Sequence, residues 1–134
     1  RWFASIGFRH SRIHALLASF GELLSGGCLL VGLLTPLAAG GVLGTMLVAL
    51  IANHLRNGYF IFRPGEGYEY VLMIALVSCA IGALGPGDLS LDNAIGFELD
   101  GWGGLTAAGL GGAGGAALVL ASSWRPERKA AGTG

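Results

Sequence analysis

Glu22, His54, Asn57, Tyr68 and Glu69 are the residues of this 134-residue chain whose types and positions could do chemistry. Glu22 lies inside the apolar run 15–34, roughly 10 Å from its start at about 1.5 Å per helical residue. Ser19, Glu22, Ser25 and Cys28 step by three and form one stripe, too polar to face lipid and expected to face other helices. An ionised group near the bilayer centre costs about 2.5–3.5 kcal/mol. Glu22 therefore needs a partner or a proton, either as a proton-coupled group or as hydrogen-bonded structural glue. The other four residues fall in HLRNGYFIFRPGEGYEY, residues 54–70, where His54, Arg63, Glu66 and Glu69 crowd together. A quinone headgroup requires hydrogen-bond donors at the interface and apolar walls for its tail. His54, Asn57 and Tyr68 could donate, and Glu22 or Glu69 could accept a proton. The competing reading of the same segment is an aromatic anchor with solvated charges.

Other chemistries find less support. His10 and His14, four apart, would share a helix face and could ligate a metal, but no third ligand is near; solvated interfacial histidines explain them better. Cys28 and Cys79 sit in separate apolar segments without a CxxC motif, so two buried thiols are expected unless their helices face each other. No histidine pair suits haem. There is no nucleophile with an adjacent base and no phosphate loop, so no catalytic constellation is visible. Zero formal net charge gives no argument for nucleic acid.

The elements that must position these residues are membrane-spanning. The chain is 53% hydrophobic, only 12% charged, and has a mean hydropathy of +0.66. Soluble domains carry about 25% charge. The pattern predicts an all-α transmembrane bundle forming one domain, with four spans over about 15–34, 36–55, 67–85 and 102–124. The second span is the organising stretch. Thr35 can cap its start, Pro36 suits the first helical position, and Gly40 and Gly44 form a small-xxx-small step for close helix packing. In the fourth span, Ala107, Gly111 and Gly115 step by four, as do Ala108, Gly112 and Ala116, with Trp102 and Trp124 at its ends. Residues 1–14 suit an interfacial segment, Asn57-Gly58 and Pro64-Gly65 mark turns, and residues 125–134 form a polar tail.

Charge orients the bundle. Arg1, Arg9 and Arg12 precede the first span, Arg56 and Arg63 follow the second, and Arg125, Arg128 and Lys129 follow the fourth. Four spans put all three groups on one side, predicted cytoplasmic together with the C-terminus. The acidic loop Asp88–Asp100 is predicted to face outside.

From about Phe3 to Gly96 the sequence resembles the DoxX family of small bacterial and archaeal membrane proteins. Glu22 with Gly26-Gly27, Gly32-Leu33-Leu34-Thr35, and His54 with Asn57-Gly58-Tyr59-Phe60 carry the resemblance. So do Gly67-Tyr68-Glu69-Tyr70, Gly85-Pro86-Gly87 and Ser90-Leu91-Asp92. The resemblance implies a four-helix membrane unit in a prokaryotic cell membrane, a further helix ahead of Arg1, and residues 97–124 as an added span. It also implies a link to sulfur or thiol redox, since relatives include a subunit of an archaeal thiosulfate:quinone oxidoreductase. Two functions are carried forward. One is an accessory or quinone-associated subunit of a membrane redox complex, with other membrane subunits as partners. The other is a stand-alone proton-coupled transporter or membrane oxidoreductase using Glu22.

Overall fold

The computed structural model describes Ser5, Gly7, Phe8 and residues 10–125. Among these, every regular element is helical: α1 (Ser11–Val31), α2 (Thr35–Ala52), a 3-10 turn (His54–Asn57), α3 (Glu69–Leu84), the short α4 (Leu91–Ile95) and α5 (Gly101–Ser123). Helices α1, α2 and α5 are long and apolar enough to cross a membrane. The third expected span is shorter: α3 has 16 residues, about 24 Å at 1.5 Å per residue. Arg1, Trp2, Phe3, Ile6, Arg9 and the tail from 126 onward lie outside the described residues.

Helix α2 is the hub, packing against α1, α3 and α5. Its contact with α5 is made backbone to backbone. A Cβ on Gly40 would sit 3.0 Å from the Ala108 carbonyl oxygen, and one on Gly112 would sit 2.8 Å from that of Gly40. Of the two small-residue stripes on α5, the one that buries is Ala108, Gly112 and Ala116, extended by Gly104; Gly111 and Gly115 stay exposed. Gly82 brings α3 against Gly104 and Ala108 as well. Without larger side chains between them, the three helices approach closely enough for dispersion and weak polar contacts to hold them where lipid gives no hydrophobic drive.

Helix α1 differs: it buries no residue and packs on α2. Leu23 is 77% exposed and Leu30 87%, while on α5 Leu118 is 74% exposed. Bulky apolar side chains thus face outward while glycine and alanine fill the interior, the arrangement suited to a hydrocarbon solvent. Cys28 and Cys79 are free thiols.

The two ends of the bundle are closed differently. At one end the Gly7 carbonyl accepts from the Arg125 N–H at 2.9 Å, and Phe8 forms an isolated antiparallel bridge with Trp124. Arg12, Arg56 and Arg63 lie at this end with Arg125, as the charge pattern requires. At the other end the α1–α2 turn meets the segment around α4.

Candidate functional site

The segment after α2 folds onto itself. Gly58 and Gly65 take positive φ values of 84° and 86°, turning the chain where Asn57-Gly58 and Pro64-Gly65 predicted it. The backbone N–H groups of Tyr68 and Glu69 then donate to the carbonyls of Gly58 (3.0 Å) and Tyr59 (2.9 Å). Gly67 is buried so tightly that a Cβ there would overlap the carbonyl oxygens of Gly58, Tyr59 and Phe60.

Four of the five expected site residues are brought together here. His54 Nδ1 donates to the Glu66 carbonyl at 3.0 Å. Since a carbonyl only accepts, the proton of a neutral ring sits on Nδ1 and Nε2 keeps its lone pair. Asn57 donates through Nδ2 to the carbonyls of Gly65 (2.6 Å) and Glu66 (3.1 Å). Tyr68 packs edge-on against Tyr59, ring centroids 5.4 Å apart. A Glu69 oxygen accepts from the Ile61 N–H at 3.4 Å. The loop presents exposed Tyr59, Phe60 and Phe62, the last two stacked at 5.1 Å.

Glu22 stands apart on α1. It is exposed, and among the described residues its carboxyl has no hydrogen-bond or ion-pair partner. Its stripe only partly faces protein: Ser25 lies against Gly41 of α2, whereas Ser19 and Glu22 line a cleft of about 290 Å³ between α1 and α2. A second cleft of about 250 Å³ opens between α1, α2 and α5, and the two share Phe8, Ala18, Thr45 and Val48. His14 lines the second cleft, half-buried with its ring 5.2 Å from that of buried Phe8. Of the two histidines expected to be solvated, His10 is exposed, whereas His14 is half-buried at the cleft beside Phe8.

The opposite end holds a constellation that the reading of the sequence missed. Asp92 is fully buried, and its carboxylate accepts from Leu34 N–H (2.6 Å), Thr35 N–H (2.8 Å) and the Thr35 hydroxyl (2.8 Å). Its own N–H donates to the Gly32 carbonyl at 2.9 Å. Thr35 is thus not the cap of α2. Leu34 occupies the cap position in left-handed conformation (φ 48°), and Asp92 supplies the capping oxygens from another part of the chain. The acidic loop is correspondingly not wholly solvated. Burial alone pushes the Asp92 carboxyl up; the bonds from Thr35 and Leu34 outweigh it and hold the group below its ordinary 3.8. A negative charge at a helix N-terminus is also favoured by the helix dipole.

Residues 1–55 match the DoxX family model. The match takes in α1, α2, Glu22, the Gly32–Thr35 half of the Asp92 contact, and His54, and ends before Asn57, Tyr68 and Glu69. No curated protein and no solved structure matches the chain. The first 55 residues are thus similar to the DoxX family, and three helices of the chain are long and apolar enough to cross a bilayer. Among the described residues no three His, Cys, Asp or Glu side chains gather as a metal site.

Proposed function

We propose that this DoxX-like protein is an accessory, quinone-associated subunit of a membrane redox complex in a prokaryotic cell membrane, its basic end and C-terminus cytoplasmic. The observation that carries the reading is the loop between α2 and α3. It is held in shape by His54, Asn57 and Gly67, and it presents three exposed aromatic rings at one end of an apolar bundle. Preorganised aromatic surface lowers the ordering cost of docking another subunit or a ring-bearing cofactor. His54 Nε2, the Tyr68 hydroxyl and the Glu69 carboxylate supply polar groups beside it. The resemblance to DoxX proteins supplies the redox context.

A second reading rests on Glu22. An unpaired carboxyl on a membrane-spanning helix, lining a cleft with Ser19 and Thr45, suits a proton-coupled transporter or oxidoreductase.

Mass spectrometry of the mildly solubilised native protein tests both. Stoichiometric recovery with oxidoreductase subunits or quinone is expected. Recovery alone with ordinary lipid would sink the complex and favour the Glu22 reading, under which Glu22→Gln abolishes activity without affecting insertion.

A further inference from the structure

The connection between α3 and α5 is built as a strap. Gly85 and Asp100 meet at its neck: Gly85 turns there with φ 71°, and a Cβ on it would overlap the Asp100 side chain. Between them, residues 86–99 hold their own shape. The Asn93 N–H donates to the Ser90 hydroxyl at 3.1 Å, Asn93 Nδ2 to the Asp88 carbonyl at 2.8 Å, and the Phe97 N–H to the Asp92 carbonyl at 2.8 Å. Asp92 is the one buried residue of this stretch. Among the described residues, every hydrogen bond from residues 86–99 to another part of the chain also belongs to Asp92. Its carboxylate accepts from Leu34 and Thr35, and its N–H donates to Gly32. The donors are all neutral. Residues 29–53, 80–87 and 101–124, which surround the joint, contain no ionisable side chain, and Cys28 on α1 and Cys79 on α3 are the next such groups along those helices. Asp88, Glu98 and Asp100 of the connection itself are exposed. Protonation of Asp92 therefore cancels the one charge on which three donors converge, and weakens charge-assisted bonds to ordinary ones.

We propose that residues 86–99 are an acid-released strap: with Asp92 ionised it locks onto the α1–α2 turn, and with Asp92 protonated it swings off as a unit about the Gly85–Asp100 neck while the bundle stays packed. The core does not follow it, because α2, α3 and α5 meet through backbone at Gly40, Gly82 and Gly112, and those contacts do not titrate. Release bares the Gly32–Thr35 turn and leaves α1, which buries no residue, held by α2 alone at that end. The sign is set by which form the donors hold. The closed strap keeps the carboxyl below its ordinary value, so closure is complete above the ordinary Asp range and is lost as pH falls from there towards the closed-state value. The strap lies at the end of the bundle away from the α2–α3 loop and does not depend on what that loop docks.

The test is nitroxide mobility in proteoliposomes, in a Cys28→Ala/Cys79→Ala background. One label is placed at Ala94→Cys, exposed on α4, and another, read separately, at Leu110→Cys, exposed on α5. The Ala94 label is expected to be immobile at neutral pH. Below about pH 4 its mobile-to-immobile ratio should rise reversibly, by up to about tenfold per pH unit, the slope of a single proton. The Leu110 label should not change. Asp92→Asn should free the Ala94 label at neutral pH and abolish the acid response. Thr35→Val keeps the carboxylate and drops one donor, so the strap should stay closed at neutral pH and open at a pH higher by about one unit. A residue that only filled space would give no such shift. Joint Asp88→Asn/Glu98→Gln/Asp100→Asn should leave the release in place. An Ala94 label still immobile at about pH 3, or an acid response that persists in Asp92→Asn, would overturn the strap. So would loss of the response in the triple variant, which assigns it to the exposed carboxylates, and so would the two labels loosening together, which is global unfolding. Should Asp92→Asn fail to fold, Thr35→Val decides alone, and an unshifted midpoint overturns the proposal.

Discussion

The Asp92 carboxylate accepts from both the backbone N–H and the hydroxyl of Thr35, 57 residues away, at 2.8 Å each. A helix start ordinarily leaves its first N–H groups without partners, or takes a cap from the adjacent residue. Here the cap is tertiary. It joins the α1–α2 turn to the α3–α5 connection, so the residues that end one hairpin are held by those that begin the next. Gly32 is part of the same joint, since a Cβ there would overlap the Ser90 side chain.

Removing the acceptor should therefore cost more than removing one donor. Asp92→Ala leaves two backbone N–H groups and a hydroxyl without their partner at the start of α2. Each unsatisfied buried group costs about 1–3 kcal/mol, so a loss of about 3 kcal/mol or more is expected. Thr35→Val removes one donor and leaves the other two bonds, for about 1 kcal/mol. Thermal unfolding in detergent orders the two variants, and an Asp92→Ala protein as stable as Thr35→Val would show that the carboxylate is not the joint.

The same contact gives stability a pH dependence. The folded carboxyl is held below its ordinary 3.8. A depressed folded value contributes stability that is present above the unfolded value and lost as pH falls through the folded one. The protein should unfold more readily as pH drops from about 5 towards and below 4, the ordinary Asp range. Asp92→Asn should be less stable at neutral pH, because its amide turns a donor towards donors, and flatter over that acid range. An Asp92→Asn curve parallel to wild type would assign the acid sensitivity to other carboxylates.

The packing of α5 can be checked with two adjacent glycines. A Cβ on Gly112 would sit 2.8 Å from the Gly40 carbonyl oxygen and 2.9 Å from Leu43 Cγ, so Gly112→Ala must spread α2 and α5. Overpacking of this kind costs about 1–3 kcal/mol. Gly111→Ala meets open space and should be neutral or gain about 0.5–1 kcal/mol from helix propensity. Unfolding temperatures of the pair decide it, and equal temperatures would contradict the assigned contact face.

These comparisons also show what the sequence made legible. The hub role of α2 and its Gly40–Gly44 face could be read because small residues four apart carry their own geometric meaning. The stripe on α5 could not be chosen, because Ala107/Gly111/Gly115 and Ala108/Gly112/Ala116 have the same spacing, and only the position of the partner helices separates them. Gly32–Thr35 and Ser90–Asp92 both stood out as motifs, yet their pairing spans a distance that no local pattern encodes. Asp92 looked like one more charge among Asp88, Glu98 and Asp100. His14 looked solvated because its neighbours in sequence are basic, whereas its ring lies beside that of Phe8 and is half-buried.

The loop between α2 and α3 supplies the last prediction. Asn57 holds the Gly65 and Glu66 carbonyls, while Gly67 passes against the carbonyls of residues 58 to 60. Asn57→Ala removes two partly exposed hydrogen bonds, a loss of about 1 kcal/mol that leaves the loop closed but easier to open. Gly67→Ala cannot be accommodated without moving backbone, so the loop should open. Limited proteolysis in proteoliposomes reads the difference: cleavage near Arg63 should be slow in wild type, faster in Asn57→Ala and fastest in Gly67→Ala. If the loop docks another subunit, recovery of that subunit should fall in the same order. Wild-type cleavage rates in Gly67→Ala would mean that the loop's shape does not depend on this close approach.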